Sequence, residues 1–287
     1  MFRHLSAFCL AALFAAPTAA QDRIVVAGGD LTEIVFALGH GDRVVGVDTT
    51  SSWPAEAARR EQVGYMRRLS AEGVLSLAPD LLIAAPDAGP KSAIDLLMSA
   101  EVETAVAPDV RDVDGIASKI AFVAAAIGAG PTGEAAARDY AARLEHARSL
   151  VAEMPARPRT LFILSVRDGA PLVGGGETSA DEMIREAGGV NVAAGFDGYK
   201  PMNAEAIIAA APEIVLITTA HADRLGGLGE VLARPDVALT PAGKAGRGAV
   251  MDALLLLGLG PRTPAAIVEL ARLLRAPSPT VDRDGDG

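Results

Sequence analysis

The sequence predicts an α/β protein of two lobes, joined by a single long helix, with a ligand cleft between the lobes. Three observations carry this expectation. Short apolar β-rich runs alternate with helical patterns through both halves of the chain, the rhythm of sheets covered by helices. A motif also occurs twice, as Gly64-Tyr65-Met66-Arg67-Arg68-Leu69-Ser70-Ala71-Glu72 and as Gly198-Tyr199-Lys200-Pro201-Met202-Asn203-Ala204-Glu205. Each copy leads into a Pro-acid-hydrophobic run, Pro79-Asp80-Leu81-Leu82-Ile83 and Pro212-Glu213-Ile214-Val215-Leu216. The copies lie about half a chain apart, too far for a solenoid repeat and suited to two similar lobes. The third observation is an unbroken stretch of helix formers between the copies.

The elements follow in order. Ile24-Val25-Val26 is the first strand, a helix covers Leu31 to Leu38, and Val44-Val45-Gly46-Val47 is the second strand. A helix opens at Ser70, a strand follows at Leu81-Leu82-Ile83, and another helix spans Pro90 to Ala100. Such βα alternation yields a parallel sheet. From Thr160 the rhythm restarts with strand Leu161-Phe162-Ile163-Leu164 and a Gly174-Gly175-Gly176 turn. A helix from Ser179 to Ala187 and a strand from Ile214 to Ile217 follow. Both lobes are therefore expected to be Rossmann-like, with central sheets.

Between them, Gly133 to Met154 is dense in Ala, Leu, Arg and Glu, lacks internal Gly and Pro, and ends before Pro155,. At about 1.5 Å per residue, roughly 22 residues make a rod of about 33 Å, enough to cross from lobe to lobe. One stiff connector permits only limited hinge motion. The expected boundaries are residues 21–130 for the first lobe, 131–156 for the connector and 157–277 for the second lobe.

Residues 1–20 have the pattern of an export signal. Arg3 and His4 precede an apolar run from Leu5 to Ala16, then Pro17, and small residues Thr18-Ala19-Ala20 come before Gln21,. Cleavage near Ala20 and export are expected. Phe8 stands before Cys9, where a lipidation signal would have a small residue. Cys9 is the single cysteine, so the mature chain has no disulfide and no thiolate metal site. Half of the chain is hydrophobic, which allows two cores of ordinary domain size. A net charge of −10 argues against a nucleic-acid surface and makes the few cations locally important. Residues 278–287 are expected to be a disordered tail. Asp282-Arg283-Asp284-Gly285-Asp286-Gly287 matches the first half of a calcium loop without its closing glutamate,.

The string Val63-Gly64-Tyr65-Met66-Arg67-Arg68-Leu69-Ser70-Ala71-Glu72-Gly73 resembles the periplasmic haem-binding proteins of bacterial haem ABC importers. Gly28-Gly29-Asp30-Leu31-Thr32-Glu33-Ile34, Gly198-Tyr199-Lys200-Pro201 and Leu256-Leu257-Gly258-Leu259-Gly260-Pro261-Arg262-Thr263 extend the resemblance over the mature chain. These proteins belong to the solute-binding proteins with one helical hinge, which include vitamin B12 and ferric-siderophore binders. The resemblance implies a monomer without catalysis that carries haem to an inner-membrane ABC permease and its ATPase. It implies an indirect link to an outer-membrane haem receptor.

Chemistry gives the string an independent sense. A phenolate is a hard oxygen donor suited to ferric iron, and tyrosine is a known axial haem ligand. A free phenol has a pKa near 10, so something must favour the anion, and a guanidinium two residues away is suited to that task. Tyr65 is the expected iron ligand and Arg67 its hydrogen-bonding partner; the bland alternative is a rim aromatic beside a surface ion pair. Tyr199 and Lys200 hold the matching place in the second lobe, with lining favoured over ligation and packing on Pro201 the plain alternative. Arg68, Arg167 and Lys200 are candidate partners for haem propionates.

Gly28 and Gly29 end a strand at a helix start, where backbone can approach a ligand; tight turning is the simpler account, because no phosphate-binding pattern is present. Trp53 either stacks on the ligand or covers the lobe's edge. His221 follows a strand end and is an alternative axial ligand. Ser70 and Asn203 are helix caps, so Glu72 and Glu205 complement helix dipoles. As the resemblance implies, they also suit docking onto paired arginines of a two-fold transporter. A siderophore or vitamin B12 binder is the near alternative, and an exported hydrolase the distant one, without a Gly-X-Ser-X-Gly elbow or a His-Glu-X-X-His pair.

Overall fold

A computed structural model describes residues 23–167 and 169–276. The expected export signal and the 278–287 tail lie outside the described residues.

The first lobe contains β1 (Ile24–Ala27), α1 (Gly29–Ala37), β2 (Val44–Val47), β3 (Glu61–Gln62) and the short pair β4 (Gly64–Tyr65) and β5 (Arg68–Leu69). It continues with α2 (Ala71–Ser76), β6 (Leu81–Ala84), α3 (Lys91–Ser99), β7 (Glu103–Val106) and α4 (Ile116–Ala126). Its main sheet has the order β3-β2-β1-β6-β7 and is parallel throughout. β1 and β6 are apolar at every position and fully buried, as parallel strands covered on both faces should be.

After α5 (Gly130–Ala152), the second lobe contains β8 (Arg159–Arg167), β9 (Ala170–Gly174), α6 (Ser179–Glu186), β10 (Val190–Asn191) and β11 (Tyr199–Pro201). Then come α7 (Ala204–Ala210), β12 (Ile214–Thr218), α8 (Thr219–Arg224), α9 (Leu228–Ala233) and α10 (Pro241–Ala245). β13 (Gly248–Met251), α11 (Ala253–Leu257) and α12 (Thr263–Leu273) complete it. The sheet order is β11-β9-β8-β12-β13, with β10 beside β8. β8, β12 and β13 are parallel, while β9 runs antiparallel to both of its neighbours, β8 and β11. The second sheet is thus mixed, because β9 returns directly along β8 as a hairpin without a crossover helix.

α5 is the connector. Pro131 lies in its first turn, where a missing N–H is harmless. Tyr140, Leu144, Ala147 and Val151 make its buried stripe, at the helical spacing of a core-facing side. The Tyr140 hydroxyl donates to the Val113 carbonyl at 2.8 Å. Arg148 donates to Asp114 at 2.9 Å and to Glu186 of α6 at 2.8 Å. One apolar cluster runs through both lobes and includes Ile24, Leu31, Tyr140, Phe162, Ile184 and Leu270. A shared core of this kind resists independent rotation of the lobes.

A second clamp joins α1 to the segment before α12. Arg262 precedes α12, donates Nε to Glu33 of α1 at 3.0 Å, and stacks over Trp53 at 4.8 Å. Glu33 is buried, and burial raises its carboxyl above the usual range, with Arg262 opposing. Arg262→Met leaves that carboxylate without its counter-charge, with an expected stability loss of about 2 kcal/mol at neutral pH. A folded-state pKa above the unfolded one means that protonation favours folding, and this contribution is lost as pH rises through the folded value. The loss in the variant should therefore shrink as pH falls towards the carboxylate range. Urea unfolding at neutral and acidic pH checks this; a loss independent of pH would contradict it.

Candidate ligand cleft

The first motif copy folds as a tight hairpin with Met66 and Arg67 at its turn. Tyr65 pairs with Arg68 and Gly64 with Leu69. Gly64 has φ 98°, and a Cβ there would approach the Arg68 carbonyl at 3.0 Å, so the hairpin requires glycine. Asp48, at the end of β2, fastens the hairpin to the sheet. Its fully buried carboxylate accepts from the N–H groups of Gly28 (3.0 Å), Thr50 (3.0 Å) and Met66 (3.2 Å). It also accepts from the hydroxyls of Thr50 (2.9 Å) and Ser51 (3.1 Å), so the buried charge is fully hydrogen-bonded.

Arg67 Nη1 donates to the Tyr65 hydroxyl at 2.5 Å, and Arg67 Nε donates to Asp87 at 2.7 Å. Asp87 thereby fixes the guanidinium against the phenol oxygen. Tyr65, Arg67 and Asp87 line one wall of a cavity of about 1060 Å³, at the upper limit of the roughly 300–1,000 Å³ usual for small-molecule sites. The second lobe supplies the facing wall with Leu164, Thr178, Tyr199, Leu254 and Leu257.

Tyr199 occupies β11, paired with Gly174 of β9. Burial raises its phenol above the ordinary value, while a hydrogen bond with Thr178 and the charge of Arg67 act in the opposite direction. The two motif copies line the same cavity, the first with Tyr65 and Arg67 and the second with Tyr199. Their helix starts also match: the Ser70 hydroxyl accepts from the Gly73 N–H at 3.0 Å, and Asn203 Oδ1 from the Ala206 N–H at 2.8 Å. Glu72 and Glu205 are each the second residue of the capped helix, and both are exposed.

Other expected contacts fall elsewhere. Lys200 is exposed and sits over the Phe196 ring at 5.3 Å, because strand alternation turns it away from the face that carries Tyr199. Arg68 is exposed and outside the cavity lining. Trp53 is likewise outside the lining, its ring taken by Arg262. Arg167 ends β8, where its backbone pairs with Ala170, and its side chain is not among those described. The Gly28 N–H is bonded to Asp48 and the Gly29 N–H to Thr50 Oγ1 at 3.0 Å, so neither amide is open to an anion. Gly29 does line the cavity, and a Cβ there would meet Leu254 of the second lobe at 2.7 Å; its smallness lets the lobes approach. His221 lies beside the lining residue Ala220 but outside the lining itself, with Nδ1 3.1 Å from Thr218 Oγ1. Burial, then Arg224, hold its imidazole below the ordinary pKa.

Lys119, Asp87 and Arg111 are among the lining residues that sequence pattern does not single out. Lys119 of α4 is buried and donates Nζ to Asp30 at 2.5 Å and to the Leu259 carbonyl at 3.0 Å. A lone lysine in the apolar run Ile116-Ala117-Ser118-Lys119-Ile120-Ala121-Phe122 was the available signal. Asp87 and Arg111 lie in loops after β6 and β7, where no periodicity marks them. Among the described residues no cluster of His, Cys, Asp and Glu is suited to a bare metal ion, and no helix is long and apolar enough to cross a membrane.

Two α/β lobes on one helical connector, with a cavity walled by both, define a substrate-binding protein. The chain belongs to the periplasmic binding protein family, whose profile matches residues 24–254; this is a family of exported binding proteins, not enzymes. The vitamin B12-binding protein of Vibrio vulnificus is 26% identical over 94% of this chain and 96% of its own length. That of Vibrio cholerae is 30% identical over 75% and 76%. Among solved structures, the periplasmic heme-binding protein RhuT from Roseiflexus sp. RS-1 matches with TM-score 0.85 and 39% identity, covering 88% of this chain and 98% of that one. The periplasmic heme-binding protein BhuT, in complex with two hemes, matches with TM-score 0.84 and 43% identity over 88% and 97%. The chain is thus a periplasmic binding protein of the haem, vitamin B12 and siderophore class.

Proposed function

We propose that this protein captures ferric haem in the interlobe cleft, with the Tyr65 phenolate as axial iron ligand, and delivers it to an inner-membrane ABC permease and its ATPase. The observation that carries the reading is the Asp87–Arg67–Tyr65 chain on the cavity wall. A phenol oxygen that takes a hydrogen bond from a fixed guanidinium is prepared to bear negative charge. A ferric porphyrin rewards such an oxygen donor, whereas a corrinoid cargo makes no use of it. The higher identity to the haem-binding structures than to the vitamin B12-binding relatives supports the same choice. Export by a signal cleaved near Ala20 belongs to this reading.

Parallel titration with hemin and aquocobalamin tests the cargo. Saturable hemin binding with a ferric tyrosinate-type spectrum, and no comparable cobalamin binding, is the expected result; preferential cobalamin binding would overturn the reading. Tyr199 acts here as a wall of the site and not as a ligand. Burial favours its neutral phenol, so Tyr199→Phe should leave the ferric spectrum unchanged and alter affinity by less than about fivefold. A changed axial-ligand spectrum in that variant would reassign the role.

A further inference from the structure

Each described cation lining the cleft already has a carboxylate partner, but the three differ in how many groups hold them. Lys119 and Asp30 are nearly buried, with side chains 6% and 16% exposed, and Lys119 is also bound to the Leu259 carbonyl. Arg67 is committed to both Tyr65 and Asp87. Among the described residues, Arg111 pairs only with Asp109, two residues away, through Nε at 2.9 Å and Nη2 at 2.8 Å, and both contacts reach one oxygen. The two side chains are 66% and 55% exposed, so solvent screening and side-chain entropy offset most of the attraction between them. Glu177, on the opposite lobe, lines the same cavity. Arg111 is therefore the one lining guanidinium whose partner is readily exchanged.

Resting on the haem reading, we infer that Arg111 exchanges Asp109 for one propionate of the cargo, so that the cleft selects porphyrins bearing a free carboxylate. A guanidinium offers a carboxylate two parallel hydrogen bonds, which an ester cannot match. Of the other lining carboxylates, Asp30 and Asp87 are neutralised by Lys119 and Arg67, whereas Glu177 and Asp252 disfavour a second propionate beside them.

The test compares hemin with hemin dimethyl ester, in one detergent-containing buffer, for the full chain and for Arg111→Gln, Arg111→Lys and Asp109→Asn. The parent protein should prefer hemin by about tenfold, as loss of a charge-assisted bidentate contact implies. Arg111→Gln should lose that preference by weakening hemin alone, Arg111→Lys should keep part of it, and Asp109→Asn should tighten hemin. The ferric spectrum should be the same in all four proteins. Unchanged hemin affinity in Arg111→Gln, or equal weakening of acid and ester, would overturn the assignment. Failure of the parent protein to bind either porphyrin would overturn the haem reading itself, a result distinct from a lost preference.

Discussion

Replacing Tyr65 with phenylalanine is expected to weaken ferric haem binding by at least about a hundredfold, equivalent to about 2.7 kcal/mol. The substitution removes one oxygen and keeps the ring. Arg67 is also paired with Asp87, so the guanidinium should stay in place, the fold and the cavity shape should persist, and the loss reports ligation. Equilibrium titration of both proteins with hemin measures it, with unfolding curves to establish equal stability. A reduction below about threefold would mean that packing, not coordination, holds the porphyrin. Arg67→Ala should give a smaller loss, because it removes the hydrogen bond to the phenol oxygen and leaves the donor atom in place.

The second large effect concerns delivery. Glu72 and Glu205 are exposed at equivalent positions on capped helices of the two lobes. Each complements its helix dipole, a contribution of under about 1 kcal/mol, so reversal of either should barely affect folding. The combined variant Glu72→Lys with Glu205→Lys is expected to abolish haem-dependent stimulation of the importer's ATPase while hemin affinity stays unchanged. Either single reversal should retain part of the stimulation, since complementary charges mainly govern encounter and register. Full stimulation by the double variant would remove these residues from docking.

Much of the architecture was legible because it rests on local pattern. Buried parallel strands are short apolar runs, and Ile24–Ala27, Leu81–Ala84 and Ile214–Thr218 are just that. The duplicated motif gave the Gly-Tyr pair, the capped helix and the following strand of each lobe. It also led to Tyr65 and Arg67, whose contact needs only two residues of separation and a hairpin.

Features that depend on distant partners were not legible. Asp48 is an ordinary aspartate in sequence, and its five donors come from three segments that only the fold assembles. The Glu33–Arg262 pair joins the two ends of the chain, and it explains why Trp53 is occupied before any ligand arrives. Arg111 stands in a loop without periodicity, whereas Arg68 and Lys200 attracted notice through the motif although they lie outside the lining. The reversed direction of β9 escaped for a similar reason, since a strand that returns as a hairpin leaves the same apolar trace as one that crosses over, and the exposed Tyr-Lys-Pro of β11 leaves none.

The central claim is a bond between the Tyr65 oxygen and ferric iron, supported by Arg67. Resonance Raman spectroscopy of the hemin complex, excited in the phenolate-to-iron charge-transfer region, tests it most directly. The account predicts phenolate ring and iron–oxygen modes in the parent protein and their disappearance in Tyr65→Phe. The same modes persisting in that variant, or a parent spectrum without them, would contradict it.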